Sequence, residues 1–596
     1  MLKSLAFVLS LAAAAVAAVG GASAEPNPAA LAQINHIVVI YEENHSFDNL
    51  YGGWEGVNGL TSADPAHTTQ VNQAGTPFSC LLQLDVNLAS PPLGSLCTDT
   101  TTSTTFTSAF ANQPFTIDDY IPATATTCPY GLPNGQGLPG GCTRDLVHRY
   151  YQELYQLDGG KQDRYVAGGD SAGLAMGTYN TKGLPIYTYL HGPQHPWYAI
   201  LDNFFQAAFG GSFLNHLWLV SAATPVWAGA LNDGSADDLH SVVDANGMPT
   251  SYPLYTSPGT GLVDRELTAS CNPPANRGPT PPGVTCGDFA VNTSQPFYQP
   301  YEPGTPTARR LPPLTNPTIG DELSAAGIDW AWYSGGWSNA NGDVGAPGWT
   351  NGFTGQCNDP DTHPGSVYPN CPNELFQFQH QAFNYFASFA PGTAARAAHL
   401  RDEAEFENLA QSSKTTCNLG PVSFVKPLGT ENEHPAYSTL RVGNSHVVDL
   451  LQLITKSACL KDTLVLVTYD EFGGQWDHVP PPGLDGTPGP HDQWGPGTRV
   501  PALVIAPFLS GQEVIDHTQY DTTSILATIE HRYGLAALST RDAAVNDLSN
   551  VFNAFPYIPE MFSPNLVLWL ATIVPGSYQY QSLPPVMKAW VDAHNH

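Results

Sequence analysis

Three short runs of mainly apolar, β-branched residues stand out along the chain, at residues 34–40, 464–468 and 500–506. Runs of this length and composition predict buried strands. Stretches with helical periodicity lie between them, for example at residues 145–157 and 443–456. Because alternating strands and helices are typical of a mostly parallel sheet flanked by helices, the pattern predicts an α/β fold.

The chain has 596 residues, and length alone would allow several domains. Polar clusters near Glu43 and Asp470 follow predicted strands at opposite ends of the sequence, so one sheet has to be assembled from both ends. We therefore expect residues 25–596 to form a single domain. Three Pro/Gly/Ser/Thr-rich regions with cysteines predict surface insertions at the rim of a pocket. They lie near residues 64–142, 249–317 and 335–371.

Residues 1–24 have the layout of a secretory signal peptide. Lys3 is followed by an apolar, alanine-rich run over residues 5–19 and by a small-x-small pattern that ends at Ala24. That run is shorter than the roughly 20 residues of a membrane-spanning helix, and residues 565–575 are also too few. We expect export to the periplasm or the medium, with no integral membrane association.

The ten cysteines agree with export, because an even number of cysteines in an exported chain favours disulfides. Connectivity does not follow from sequence, so the pairing of neighbours is a hypothesis. It gives the pairs Cys80–Cys97, Cys128–Cys142, Cys271–Cys286, Cys357–Cys371 and Cys417–Cys459. A cysteine metal site is disfavoured, since the chain has no C-x-x-C motif or Cys/His cluster.

The formal net charge of −31 arises from few lysines and arginines rather than from acidic runs, since charged residues make up only 12% of the chain. No basic stripe is present that would neutralise phosphates, so nucleic acid is excluded as a partner. Anionic membrane surfaces would repel the protein at neutral pH. The sequence does not predict the oligomeric state.

The first polar constellation, Y-E-E-N-H-S-F-D at residues 41–48, directly follows the first predicted strand. Ligands bind at the carboxyl ends of strands in open α/β sheets. The carboxylate of Glu43 beside the amide oxygen of Asn44 suits a hard divalent cation. A turn whose polar residues only cap the following helix is the simpler explanation of the local composition.

The second constellation, Y-D-E-F-G-G at residues 469–474, also begins where a predicted strand ends. The adjacent carboxylates of Asp470 and Glu471 repel each other unless a cation or protons neutralise them. A metal site shared with Glu43 and a solvated loop both remain open at this point.

The third constellation places Ser212 after two glycines and before an apolar helical stretch. A hydroxyl at a helix N-terminus lies where free N–H groups and the helix dipole favour phosphate oxygens. An ordinary N-cap is the commoner explanation. The pattern is not the G-x-S-x-G elbow of lipases. Of the 19 histidines, three stand in notable motifs, although each alone is more typical of a surface or core residue: His148, His380 and His434.

Together these motifs resemble those of a bacterial phosphoesterase family that contains the non-haemolytic phospholipases C and a group of acid phosphatases. The family's marks are an E-N-[RH]-S-F-D box, a Ser or Thr with Asn three residues later, a histidine before Q-[PA]-F, an N-E-H-P box and a Y-D-E-x-G-G-x-x-D-H-V box. All five occur here in the family's order, within residues 34–478.

The resemblance implies a fold similar to that of the alkaline phosphatase and sulfatase superfamily. It also implies one divalent metal ion (Ca, Mg, Mn or Zn), held by Glu43, Asn44, Ser212, Asp470 and Glu471. In this scheme Ser212 is also the nucleophile. The residues expected to surround the phosphoryl group are His148, Asn215, His380 and His434.

Two departures from the family pattern bear on the substrate. Gln379 precedes His380 where the family often has paired histidines, and the loop around Ser212 reads G-G-S-F-L-N-H rather than the P-T-x-P-N-R form of phospholipases C. With the short segment after Glu471, the loop favours a secreted acid phosphatase that hydrolyses small phosphate monoesters through a phosphoserine. The alternatives are a phospholipase C and, more remotely, a non-catalytic phosphate- or metal-binding relative. If several histidines work protonated, the pH optimum should be acidic.

Overall fold

The computed structural model describes most of the chain between residues 27 and 552 and short pieces after it. The described residues are 27–85, 94–121, 143–193, 195–228, 230, 239–269, 285–352, 357, 371–506, 509, 513–552, 572–575, 577–581, 588 and 591. The predicted signal peptide and most of residues 565–575 lie outside this part of the chain. Among the described residues, no helix is long and apolar enough to cross a membrane.

Eight strands form one central sheet. They are β1 His36–Glu42, β2 Tyr198–Leu201, β3 Trp330–Ser334, β4 Leu400–Asp402, β5 Val422–Lys426, β6 Thr463–Tyr469, β7 Ala502–Ile505 and β8 Glu513–Asp516. Their order is β4-β3-β5-β1-β6-β7-β2-β8. Strand β7 runs antiparallel to both of its neighbours, and the other pairs are parallel. The expected mostly parallel sheet is confirmed, and the three apolar runs are β1, β6 and β7.

Helices pack around this sheet. They are α1 Pro28–Leu31, α2 Phe47–Leu50, α3 Pro65–Thr68, α4 Tyr150–Leu157, α5 Pro185–Leu190, α6 Ser212–Ser221, α7 Ile319–Ala325, α8 Trp337–Asn341, α9 Ala394–His399, α10 Glu403–Ser412, α11 Leu440–Thr455, α12 Thr523–Tyr533 and α13 Tyr578–Gln581. Four short strand pairs lie outside the sheet: Cys97–Asp99 with Phe106–Ser108, Phe115–Thr116 with Gly177–Thr178, Phe204–Phe205 with Tyr520–Asp521, and Gln295–Pro296 with Arg310–Leu311.

The predicted helix at residues 145–157 begins later than expected, at Tyr150. In the preceding segment, backbone amides donate hydrogen bonds to side chains that are distant in the sequence. The amide of Arg144 donates to Asp85, and the amide of Val147 donates to Asp170. Because these amides are already used, the segment stays non-helical and runs along the edge of the site described below.

Three of the five hypothesised disulfides are present: Cys80–Cys97, Cys357–Cys371 and Cys417–Cys459. Cys128, Cys142 and Cys271 lie outside the described residues, so the other two pairings stay predictions. Disulfides agree with an oxidising compartment. Export itself remains a prediction.

A buried charge cluster ties the ends of the central strands together. Arg499, just before β7, contacts Asp477 at 3.1 Å and Asp48 of α2 at 3.2 Å. His478 Nδ1 lies 2.5 Å from Asp48 Oδ2. The side chains of Arg499, Asp48 and Asp477 are fully buried. Breaking one partner of such a cluster leaves a charge without compensation in the interior.

We therefore predict that Arg499→Met lowers the free energy of unfolding by about 3–5 kcal/mol. The control is Arg401→Met, which removes a partly exposed ion pair with Glu405 and should cost no more than about 1 kcal/mol. Chemical denaturation of both variants measures the difference. Equal losses would show that the buried cluster contributes no more than a surface pair.

Candidate active site at the carboxyl edge of the sheet

The pairing register of β1 and β6 brings the two acidic constellations together. Glu42 lies opposite Tyr469, so Glu43 and Asp470 leave the sheet side by side. Both are fully buried, as are Asn44 and Glu471. The two strands come from opposite ends of the sequence, as the sequence pattern requires.

Glu43 contacts Ser212 and two basic side chains. Its Oε2 accepts a hydrogen bond from Ser212 Oγ at 2.9 Å. Its Oε1 lies 2.8 Å from Lys426 Nζ and 3.2 Å from His380 Nε2. The predicted nucleophile and two basic groups therefore converge on one buried carboxylate.

The loop after β6 closes the other side of the site. Asn44 Nδ2 donates to Glu471 Oε1 at 2.8 Å, and Ser212 Oγ lies 3.4 Å from the same oxygen. Glu471 Oε2 accepts from the Gly473 amide at 2.6 Å. His148 Nε2 and His434 Nε2 lie 3.4 Å and 3.5 Å from Asn44 Nδ2. Of the predicted site residues, all except Asn215 thus approach this group through their side chains.

Ser212 is the first residue of α6 and not its cap. Gly211 holds the N-cap position, and no side chain caps the helix. The hydroxyl of Ser212 points to carboxylates instead of its own helix, which removes the ordinary-cap explanation. A Cβ on Gly211 would lie 2.6 Å from the His148 carbonyl oxygen, so glycine lets this loop approach the His148 segment.

Asn215 lies one helical turn behind Ser212 and is fully buried. Its amide donates to the carbonyls of Ala208, Gly210 and Gly211 at 3.0–3.3 Å, and its Oδ1 accepts from the Ala208 amide at 2.9 Å. In this structure Asn215 therefore holds the loop that carries Ser212. A contact between Asn215 and the phosphoryl group stays a prediction.

A cavity of about 420 Å³ opens above Ser212. His148 and His434 line it together with Ser212. His380 lies deeper, against Glu43 and stacked on His216 with ring centroids 4.6 Å apart. The remaining walls are mostly polar, and their described members are Arg144, Asp145, Leu146, Val147, Arg149, Asp170, Gly211, Phe213, Val291, Asn292, Thr293, Gln377, Gln379 and Tyr437.

Glu43, Asp470 and Glu471 form the acidic group of the site. Burial makes the carboxyl groups of Asp470 and Glu471 costly to ionise. Burial, and then the charge of Glu43, raises the pKa of Asp470 well above its ordinary value. Burial also raises the pKa of Glu471, against hydrogen bonds from Asn44 and Gly473 that lower it. Carboxylates in such a place demand nearby positive charge before they ionise. Lys426 supplies one such positive charge. A divalent cation would supply the further positive charge that these carboxylates need in order to ionise.

The residues present fit a metal ion. Asn44 Oδ1 and Asp470 Oδ2 are buried and accept no hydrogen bond within the described chain. One carboxylate oxygen from each of Glu43, Asp470 and Glu471 lies within 4.8 Å of the others. A site made of carboxylate and amide oxygens suits a hard cation such as Mg²⁺, Ca²⁺ or Mn²⁺. Zn²⁺ more often takes nitrogen or sulfur ligands.

Most histidines of the site are neutral when buried in this way. Burial lowers the pKa of His434 to about 4 and of His216 to about 3. The same cause holds the pKa of His380 well below its ordinary value. These imidazoles therefore offer hydrogen bonds without charge at pH 5–8. They give no support to an acidic optimum that depends on several protonated histidines.

Two residues of the site were not predicted from the sequence. Lys426 ends β5, is almost fully buried, and also donates to the Tyr41 carbonyl at 2.9 Å. The sequence feature that could have predicted Lys426 is its position at the carboxyl end of an apolar run. His216 stands four residues after Ser212, on the same face of α6. Its Nε2 lies 3.8 Å from Glu43 Oε1.

Comparisons with known proteins identify the family of the chain. The family model named Phosphoesterase family matches residues 34–536. Phospholipase C B of Mycobacterium tuberculosis is 25% identical over 577 residues, which cover 91% of this chain and 82% of that protein. Non-specific phospholipase C1 of Arabidopsis thaliana is 31% identical over 140 residues, 20% of this chain and 26% of the relative. A solved alkaline phosphatase superfamily protein from Vibrio parahaemolyticus shares 17% identity with a TM-score of 0.19, over 38% of this chain and half of that one.

We predict that chelation inactivates the protein and that Asp470→Asn weakens binding of a divalent cation at least about tenfold. The substitution removes one anionic oxygen from the buried group, so less negative charge is left to bind the ion. Asp329→Asn, an exposed position before β3, is the control and should leave metal content unchanged. Full activity in protein shown by elemental analysis to be free of metal would refute the site.

Proposed function

The chain belongs to the phosphoesterase family and is a phosphoric-ester hydrolase, and we propose that the hydroxyl of Ser212 is its nucleophile. One observation carries this assignment. Ser212 Oγ lies at the floor of the cavity and donates to Glu43 Oε2 at 2.9 Å, in the centre of the buried acidic group. A serine with only a structural role has no reason to face three carboxylates.

A divalent cation held by Glu43, Asn44, Asp470 and Glu471 would lower the pKa of the Ser212 hydroxyl and neutralise a phosphoryl oxygen. The other steps belong to the chain itself. Ser212 Oγ attacks phosphorus and gives up its proton towards Glu43, with which it is already hydrogen-bonded. The ester bond to the leaving oxygen breaks, this oxygen takes up a proton and departs as the alcohol, and a phosphoserine forms. Water then attacks the same phosphorus, the bond to Oγ breaks, and Ser212 regains a proton.

The surroundings of Ser212 support the transition state. As the first residue of α6, Ser212 lies where a helix N-terminus favours anions. His148 and His434 line the cavity together with Ser212 and are placed to donate to phosphoryl oxygens or to the leaving oxygen. Lys426 Nζ lies 2.8 Å from Glu43 Oε1 and places a positive charge beside the carboxylate that Ser212 faces.

For the substrate we infer a small phosphate monoester, which makes the protein an acid phosphatase. The mostly polar lining of the cavity supports this class, because a small soluble leaving group needs hydrogen bonds and no apolar channel. A monoester changes from one negative charge to two near pH 6. The neutral imidazoles of His434 and His380 do not offset the second charge, so monoester turnover should be best below about pH 6.

A phospholipase C is the second candidate, and the relatives support it at least as strongly. Phospholipase C B of Mycobacterium tuberculosis aligns with 91% of this chain. A phosphodiester carries a single negative charge at both acidic and neutral pH, so the argument from substrate charge predicts no acidic optimum for it. Both the pH dependence of hydrolysis and the relative rates on monoesters and diesters therefore distinguish an acid phosphatase from a phospholipase C.

Ser212→Ala is expected to lower kcat at least about 1,000-fold, because the nucleophile is lost while the fold remains. Ser221→Ala, at the far end of the same helix, removes only a hydrogen bond to the Leu217 carbonyl and should keep nearly full activity. Steady-state assays with metal content measured in parallel test this. Residual activity of the Ser212 variant within about tenfold of wild type would end the assignment.

We predict that kcat/KM for p-nitrophenyl phosphate and for a nucleoside monophosphate exceeds that for phosphatidylcholine. For both monoesters kcat/KM should fall as pH rises through about 6. The three substrates are assayed side by side across pH 4–8, and the Ser212→Ala protein reports contaminating activity. If phosphatidylcholine is the best substrate and its turnover lacks this pH dependence, the phospholipase C assignment replaces the phosphatase.

A further inference from the structure

We propose that the protein binds a second divalent cation, at Glu403, Glu431 and His446. This site is separate from the Ser212 centre and does not depend on the function proposed above. Its residues come from three elements at the carboxyl edge of the same sheet. Glu403 begins α10 directly after β4, Glu431 stands in the loop after β5, and His446 lies in α11.

The three side chains converge on one point. His446 Nε2 lies 2.8 Å from Glu403 Oε1 and 3.9 Å from Glu431 Oε2. All three potential ligand atoms lie within 4.8 Å of one another. The side chains of Glu403 and His446 are 6% and 14% exposed, whereas that of Glu431 is 43% exposed and leaves a route for an ion from solvent. An imidazole with two carboxylates is a ligand set for Mn²⁺ or Zn²⁺.

A fourth carboxylate next to this group has no partner of its own. Glu42 is fully buried, and neither of its oxygens has a hydrogen-bond partner within the described chain. Its charge acts on the same group: although burial lowers the pKa of His446, the charges of Glu403, Glu431 and Glu42 raise it to about 10. A buried polar group without a hydrogen bond is costly. Within the described chain Glu42 has neither a hydrogen bond nor an ion pair.

The excess of carboxyl groups over cations around Glu403, Glu431 and His446 also favours a bound cation. Glu407 adds a further carboxyl group: its charge acts on Glu431, and burial, Glu403 and Asp449 raise the pKa of Glu407 itself. The described cations near it are His446 and Lys426. Lys426 donates to the Tyr41 carbonyl and pairs with Glu43 at 2.8 Å, so it serves the catalytic group. One imidazolium is left for several carboxylates.

An ion pair between protonated His446 and Glu403 would account for the 2.8 Å contact alone. It would leave the two oxygens of Glu42 without a partner in the described chain and Glu431 Oε2 3.9 Å from His446 Nε2. A divalent cation that replaces the Nε2 proton, which passes to water, adds one more unit of positive charge and brings Glu431 within bonding reach. The cation would therefore bind Glu403, Glu431 and His446 together, whereas the ion pair involves only Glu403 and His446.

The second site would also act on the catalytic one by holding a loop. Glu431 stands three residues before His434, which lines the cavity. Between them, the carbonyl of Asn432 accepts a hydrogen bond from the Glu43 amide at 2.9 Å. An ion at Glu431 thus fixes the start of the segment that positions His434. Its role is to position, since none of its ligands lines the cavity.

The experiment measures the metal content of the full-length protein. Chelated protein is dialysed against Mn²⁺, freed of excess ion and analysed for manganese. We expect two equivalents per chain for wild type and one for His446→Gln. The catalytic-site variant Asp470→Asn should keep the equivalent at the second site. Glu405→Gln, on the same helix as Glu403 but paired with Arg401, should keep both.

A second measurement needs no variant. Crystals of wild-type protein soaked in Mn²⁺ should show an anomalous peak between Glu403, Glu431 and His446, in addition to one near Ser212. A peak near Ser212 alone, one equivalent in wild type, or an unchanged content in His446→Gln would each overturn the second site. Loss of the peak near Ser212 would instead count against the proposed catalytic metal.

Discussion

The carboxylates of Glu43, Asp470 and Glu471 repel one another in the protein interior, and this repulsion decides what the site has to contain. Burial raises the pKa of Asp470 and Glu471 well above their ordinary values, so the group ionises fully only with positive charge beside it. Lys426 provides a fixed part of that charge. A divalent cation would supply the rest of that charge and would offer a place for a phosphoryl oxygen.

Such a crowded group stays in place only if the surrounding loops are rigid. Glu153 Oε2 accepts from the Gly210 amide at 2.5 Å and from Gln206 Nε2 at 2.9 Å. Gln206 Oε1 in turn accepts from the Phe472 amide at 2.9 Å. The loop of the nucleophile and the loop of the acidic pair are thus joined through one buried glutamate and one glutamine. Rigid support of this kind is what preorganised electrostatic catalysis requires.

Much of this arrangement could be predicted, because it depends on local patterns. The apolar runs predicted β1, β6 and β7, and a parallel pair necessarily brings Glu43 and Asp470 to the same edge. The rest depends on contacts that no local pattern encodes. Helix α4 starts late because distant carboxylates take the preceding amides, and Asn215 turns to the carbonyls of its own loop. Lys426 and His216 gain their roles only when β5 and α6 pack against β1.

The residues around the phosphoryl group do not by themselves distinguish a monoester from a diester. Substrate specificity must therefore depend on the cavity wall above Ser212. The arginines of that wall are already paired: Arg144 lies 3.0 Å from Asp170 and Arg149 lies 2.8 Å from Asp264. A leaving group with further negative charge therefore meets no free positive charge there. We expect discrimination to depend on hydrogen bonds with side chains of the wall such as Gln379, which reject a substrate that leaves them unpaired. With Ser212 as the proposed nucleophile, a change in this wall alone would therefore be expected to change which ester is hydrolysed.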